Sequence, residues 1–208
     1  IYSNMFNEST DLLFVGHEHF SLNEDKTVKL VLNSITEAMI PFNVTSALGN
    51  NDFVTSNLNT ELEKFYNTLL MDNDNYIAST RYCYDNSVNL EENGKIEYLS
   101  NSRLFQEANP TNACNGTSLS KKIATLTADE VMFAGASTSE NKDYYLYLPN
   151  LQSSWWTMTP NKKENGKTSY IVVMSNGSLI KDIQEDTNLF FRPVITLVKK
   201  TNVLGDGS

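Results

Sequence analysis

No run of apolar residues in this sequence approaches the roughly 18 needed to cross a bilayer as a helix, so membrane insertion of the visible chain is not expected. No secretory leader is visible. The chain begins at Ile1 rather than Met, and the expectation is a piece whose leader or anchor lies upstream. Histidine is scarce: His17 and His19 are the two, which leaves little for acid–base chemistry near neutral pH. Positive charge is in deficit, with 16 Lys and Arg against 25 Asp and Glu, for a net charge of −9. Such a surface repels a phosphate backbone and makes nucleic acid a poor partner. No Gly-x-Ser-x-Gly elbow and no phosphate-cradling glycine loop occur. Cysteine is limited to Cys83 and Cys114, too few for a four-cysteine zinc site. The pair reads either as one disulfide in an oxidising compartment or as two buried thiols.

What is present suits a folded chain. The 208 residues are 40% hydrophobic and 20% charged, with ten Tyr and ten Phe. That is enough for one sizeable core, read as a single domain over residues 1–200 with a tail at 201–208, residues 1–40 forming a slightly different N-terminal edge. Asp11–Val15 and Thr27–Leu32 read as short buried strands that could pair as a hairpin around the polar turn Asn23–Lys26. Leu58, Leu62, Phe65 and Leu69 recur on one helical face and predict a helix over Ser56–Leu70, with Ser56 as N-cap. A shorter helix is expected near Leu104–Ala108, ending before Pro110. Thr127–Phe133 carries a capping box, Thr127 with Glu130, and Gly135 ends it. Beyond it, Tyr144–Leu148, Ser154–Thr159, Ser169–Met174 and Pro193–Val198 predict an antiparallel strand meander. Asn176-Gly177 is the strongest hairpin signal. Helices early and strands late predict an α+β fold.

Four ordered segments carry a resemblance. Ile123–Gly135 (IATLTADEVMFAG), Trp155–Pro160 (WWTMTP), the Asn176-Gly177 hairpin and Phe191–Leu197 (FRPVITL) resemble a pattern of bacterial surface and phage-associated domains with a C-type-lectin-like fold. Upstream, Ile40–Asn43 (IPFN) and the helix with Leu58, Leu62, Phe65 and Tyr66 are similar to the same proteins, and Tyr82–Asp85 with Cys114 matches their paired-cysteine segment. These domains are related to formylglycine-generating enzymes and to the variable proteins of diversity-generating retroelements. The chain departs from the pattern where Gly49–Asp52 stands in place of a Trp–Glu–x–Ser segment. The resemblance implies a C-type-lectin-like scaffold with short helices and a late strand meander.

The candidate sites follow from these readings. A Trp pair in a strand puts one ring on each face, so of Trp155 and Trp156 one is expected in the core and the other nearer solvent. Arg192 is placed to hold Asp129 or Glu130 in a buried ion pair, a structural role. By resemblance, the ligand surface falls near Tyr144, Tyr145, Tyr147, Trp156 and Asn161. Tyr84–Asn101, Ser137–Asp143 and Asn161–Lys167 are expected as exposed contact loops. His17-Glu18-His19 has a chelate spacing without a third ligand. Asp72 and Asp74 offer a partial calcium loop that lacks its glycine and bidentate glutamate. No metal or cofactor is expected. No cysteine follows Cys114, so the thiol chemistry of formylglycine-generating enzymes has no place here. The expectation is a secreted or cell-surface recognition or adhesion module that binds an extracellular protein or glycan and is not an enzyme. A structural subunit of an envelope or filament, and a degenerate formylglycine-generating-type enzyme, are the alternatives.

Overall fold

The structure, a computed structural model, describes residues 12–17, 28–32, 36, 38–44, 53–84, 87–111, 113–114, 118–139 and 152–198. The expected turn at Asn23–Lys26, the strand at Tyr144–Leu148 and the tail at 201–208 lie outside them.

In chain order the elements are β1 (Leu12–His17), β2 (Val28–Leu32), β3 (Ile40–Pro41), α1 (Asn57–Leu69), β4 (Thr80–Cys83), β5 (Val88–Glu92), β6 (Lys95–Tyr98) and α2 (Leu99–Phe105). There follow β7 (Ser118–Lys121), β8 (Ile123–Ala124), α3 (Ala128–Phe133), β9 (Trp155–Glu164), β10 (Lys167–Val173), β11 (Leu179–Gln184), β12 (Asn188–Leu189) and β13 (Val194–Leu197). Few short helices and many antiparallel strands make a mixed fold compatible with α+β. Strands stand at both ends of the chain rather than only late.

The two ends are sewn together. β1 and β2 pair as the expected antiparallel partners, and β2 then pairs with β13, Val31 opposite Val194. With β8 they form a sheet in the order β1-β2-β13-β8. A second sheet has the order β11-β10-β9-β6-β5. Two of its hairpins close with Asn-Gly: Asn93 and Gly94 have φ of 51° and 76°, and Asn165 and Gly166 have 53° and 77°. Both residues of each pair lie in the left-handed region, as a two-residue hairpin turn requires. The Asn176-Gly177 signal closes β10 and β11 differently. The Gly177 amide donates to the Met174 carbonyl at 2.8 Å, and only Gly177 takes positive φ, 84°.

Local sequence explains the helices. In α1 the Ser56 hydroxyl accepts from the Asn59 amide at 3.0 Å, and Leu58, Leu62 and Tyr66 are buried. Leu69, expected on that stripe, is exposed in the last turn, and Leu70 is buried in its place. The Thr127–Glu130 capping box forms as expected. α2 starts five residues before its expected position because Ser100, Asn101, Arg103 and Leu104 are all drawn inward by packing against β9.

One connected core runs from Leu30 to Leu197. At its centre Phe42 stacks on Tyr170 with ring centroids 3.6 Å apart, and Trp156 meets Phe42 edge-on at 5.5 Å. Cys83 and Cys114 form a disulfide that ties the end of β4 to the segment ahead of β7.

Candidate functional site

The late residues singled out by sequence are mostly structural. Trp155 and Trp156 are 1% and 0% exposed, so neither ring is near solvent. Both faces of this end of β9 are covered: Trp155 lies under the Arg192 guanidinium, 5.6 Å from its ring centroid. Trp156 lies against Phe42 and Tyr170, its indole N–H donating to the Ile40 carbonyl at 2.8 Å. Trp156 is therefore not available as a contact platform. Asn161 is also fully buried. Tyr144, Tyr145, Tyr147 and His19 lie outside the described residues.

Asp129 and Glu130 are buried ion-pair partners, but of other cations than Arg192. Arg103 of α2 grips Asp129 through both guanidinium ends, and the Thr111 amide donates to Asp129 at 2.7 Å. Lys29 of β2 pairs with Glu130, its ammonium 4.8 Å above the Tyr82 ring. Adjacent positions at the start of one short helix thus reach two different elements, which fixes α3 against α2 and β2. Near α1, Asp74 accepts from the Tyr66 hydroxyl and pairs with Lys122 at 2.5 Å. Lys122 and Tyr66 hold its carboxyl below the usual range.

The open chemistry lies at the hairpin end of the five-stranded sheet. Tyr84–Asn101, expected as a loop, is largely the β5–β6 hairpin and the start of α2. Asn161–Lys167 is the end of β9, a turn and the first residue of β10. Two strands flanking β10 carry bulges at about the same level. In β9 the register with β10 slips between Pro160 and Lys162, and in β11 it slips between Ile180 and Ile183. Asp182 sits inside the second bulge at φ 69°, a costly conformation for a residue with a Cβ. Its carboxylate is thereby turned to accept from Asn161 Nδ2 at 3.0 Å and to pair with Lys162 at 2.8 Å. Asn161 Nδ2 also donates to Ser169 Oγ at 3.1 Å, while Asn161 Oδ1 is buried with no hydrogen-bond partner.

Beside this polar bay an open trough of about 480 Å³ runs to β5, lined among others by Leu90, Lys95, Glu97, Lys162, Lys181 and Asp182. A ladder of alternating charge forms its border. Glu92 stands opposite Lys95, Lys95 pairs with Glu164 at 2.5 Å, Glu164 stands opposite Lys167, and Lys167 pairs with Asp186 at 2.7 Å. The Lys95 ammonium holds the Glu164 carboxyl down, and Lys167 does the same for Asp186. Asp182 pushes the Lys162 ammonium up. Lys181 donates to Asn101 Oδ1 at 2.8 Å and lies 5.3 Å over the Phe105 ring. The named lysines are thus engaged. Glu97 stands opposite Lys162 and also pushes that ammonium up.

The two segments expected from sequence as contact loops, Tyr84–Asn101 and Asn161–Lys167, supply most of the trough lining, but as paired strands rather than loops. The signals for pairing were there in Asn93-Gly94 and Asn165-Gly166, which mark the hairpins that build it. The bulges carried no local signal. Among the described residues no three His, Cys, Asp or Glu side chains group as metal ligands, and no helix is long and apolar enough to cross a membrane. No family model, curated protein or solved structure matches this chain.

Proposed function

We propose that the chain is a non-catalytic recognition module of C-type-lectin-like architecture, displayed outside the cell or on its surface, whose contact face is the trough at the hairpin end of the five-stranded sheet. The observation that carries this reading is the combination of a pre-paired charged border with an open, partly apolar floor. Lys95–Glu164, Lys162–Asp182 and Lys167–Asp186 fix the long side chains before any ligand arrives, which lowers the ordering cost of binding. Leu90 is 52% exposed beside them. Protein is favoured over glycan as ligand, because among the described residues no aromatic ring lines the trough to stack on a sugar. The disulfide supports an oxidising setting.

The test is a binding screen of the whole chain on arrays of surface proteins and glycans, repeated with Leu90→Asp and Lys181→Glu. Both positions are at the trough and away from the central core, so circular dichroism should stay unchanged. Binding to proteins that both substitutions abolish is the expected result. No ligand on either array, or binding that ignores both substitutions, would sink the proposal.

A further inference from the structure

We infer that Lys121 and Asn59 become joined by an intramolecular isopeptide bond, which the folded chain forms by itself with Glu63 as the proton acceptor. None of the three residues lines the trough, and the bond does not depend on what the trough binds.

The reacting groups meet between α1 and β7. Asn59 and Glu63 stand one turn apart on α1 and so share a face of the helix, and Lys121 is the last residue of β7. The Lys121 ammonium donates to Asn59 Oδ1 and pairs with Glu63 Oε1 at 2.5 Å. A nitrogen nucleophile, an amide carbonyl and a proton acceptor are therefore in direct contact. The amide is also held from its other end: Asn59 Nδ2 donates to the Val54 carbonyl at 2.7 Å. The buried Phe53 ring lies 5.9 Å from Lys121 Nζ. Asn59 is 7% exposed and the Lys121 side chain 12%, whereas the Glu63 side chain is 43% exposed. Bulk water is thus largely kept from the amide, while the carboxylate can discharge a proton to solvent.

An amine and an amide free in water do not condense at neutral pH. Holding them in contact makes the step intramolecular and raises the effective concentration of the amine by orders of magnitude. A carboxylate within hydrogen-bond reach removes the proton that blocks the lone pair. One ammonium proton passes to Glu63, and the freed lone pair forms the Nζ–Cγ bond. A second proton moves from Nζ to Nδ2, the Cγ–Nδ2 bond breaks, and ammonia leaves. Glu63 then returns its proton to water. No oxidant or cofactor enters the balance. The product ties α1 to β7 across a sequence separation of 62. The Cys83–Cys114 loop lies inside that span, so the two cross-links are nested and the outer one survives reduction.

The experiment is intact mass spectrometry of the whole folded chain after reduction, followed by proteolysis and tandem mass analysis. The expected mass is one ammonia below that of the sequence, with a branched peptide that holds both Asn59 and Lys121. Lys121→Arg and Glu63→Gln should each restore the full sequence mass. Circular dichroism checks that both variants fold, and Glu63 is exposed enough for its amide to be accommodated. Lys122→Arg, at the neighbouring lysine that pairs with Asp74, should keep the ammonia loss. The full sequence mass in the wild type overturns the bond. An ammonia loss that persists in Lys121→Arg lies at another asparagine, as a succinimide at an Asn-Gly pair would, and overturns it equally. A loss that persists in Glu63→Gln overturns the assignment of Glu63 as proton acceptor.

Discussion

Arg103→Met is the perturbation whose cost follows most directly from the structure. The guanidinium reaches both carboxylate oxygens of Asp129, with Nη2 to Oδ2 at 3.0 Å, and Nη1 also donates to the Asn109 carbonyl at 3.0 Å. The two side chains are 7% and 5% exposed, so water does not replace what is removed. Methionine fills much of the volume but leaves the Asp129 carboxylate buried beside the Thr111 amide and deprived of the Arg103 guanidinium. Breaking a buried pair from one side costs about 3–5 kcal/mol, and the lost Asn109 contact adds about 1 kcal/mol. Against a typical total of roughly 5–15 kcal/mol, the variant should sit close to its unfolding threshold. The double substitution Arg103→Met with Asp129→Leu removes the stranded charge and should recover most of that loss. Urea unfolding with the disulfide intact, at matched slopes, reads both values. A single-variant loss under about 1 kcal/mol, or a double variant as unstable as the single, would refute the buried-pair reasoning.

Other outcomes follow from the same geometry. Trp156→Phe removes the indole bond to the Ile40 carbonyl and should cost about 1–3 kcal/mol in chemical unfolding while leaving ligand binding unchanged; lost binding without lost stability would return Trp156 to the contact surface. Replacing Cys83 and Cys114 with Ser opens a loop of sequence separation 31 and should cost on the order of 3–4 kcal/mol by the loop-entropy relation, measured as the shift in urea midpoint; no shift would mean the bond does not constrain the unfolded chain. Burial raises the Glu185 carboxyl above its ordinary value, ahead of the lowering contact from Thr168. The folded chain therefore holds that proton more tightly than the unfolded chain does. Its stabilising contribution is complete below the unfolded value of about 4.3 and is lost as pH rises through the folded value. Compared with Glu185→Gln, the wild type should lose relative stability from about pH 4.3 upward; a difference that stays flat with pH contradicts this.

What could be read in the sequence was local. The Ser56 cap, the Thr127–Glu130 box and the strands around Trp155, Tyr170 and Ile195 depend on neighbours a few residues away, and they stand where the periodicity puts them. What could not be read was choice of partner. Asp129 takes its cation from 26 residues upstream and Glu130 from 101, and nothing near Arg192 signals that these carboxylates look elsewhere. Trp156 was misplaced because alternation gives the face of a strand but not what covers that face. β5 and β6 read as a loop since Asn, Glu and Lys are poor strand formers on average; here they face water on an edge hairpin, where charged residues are tolerated. The bulges at Asn161 and Asp182 answer to packing on β10, which no local pattern records.

Backbone amide hydrogen exchange of the whole chain, with and without the protein ligand found on the arrays, bears most directly on whether this face makes the contact. New protection is expected at Leu90–Glu92 and along the trough wall at Lys162 and Lys181, with the Trp156 core unchanged. Protection confined to other surfaces, with the β5 amides exchanging as fast as in the free chain, would contradict a contact face at this end of the sheet.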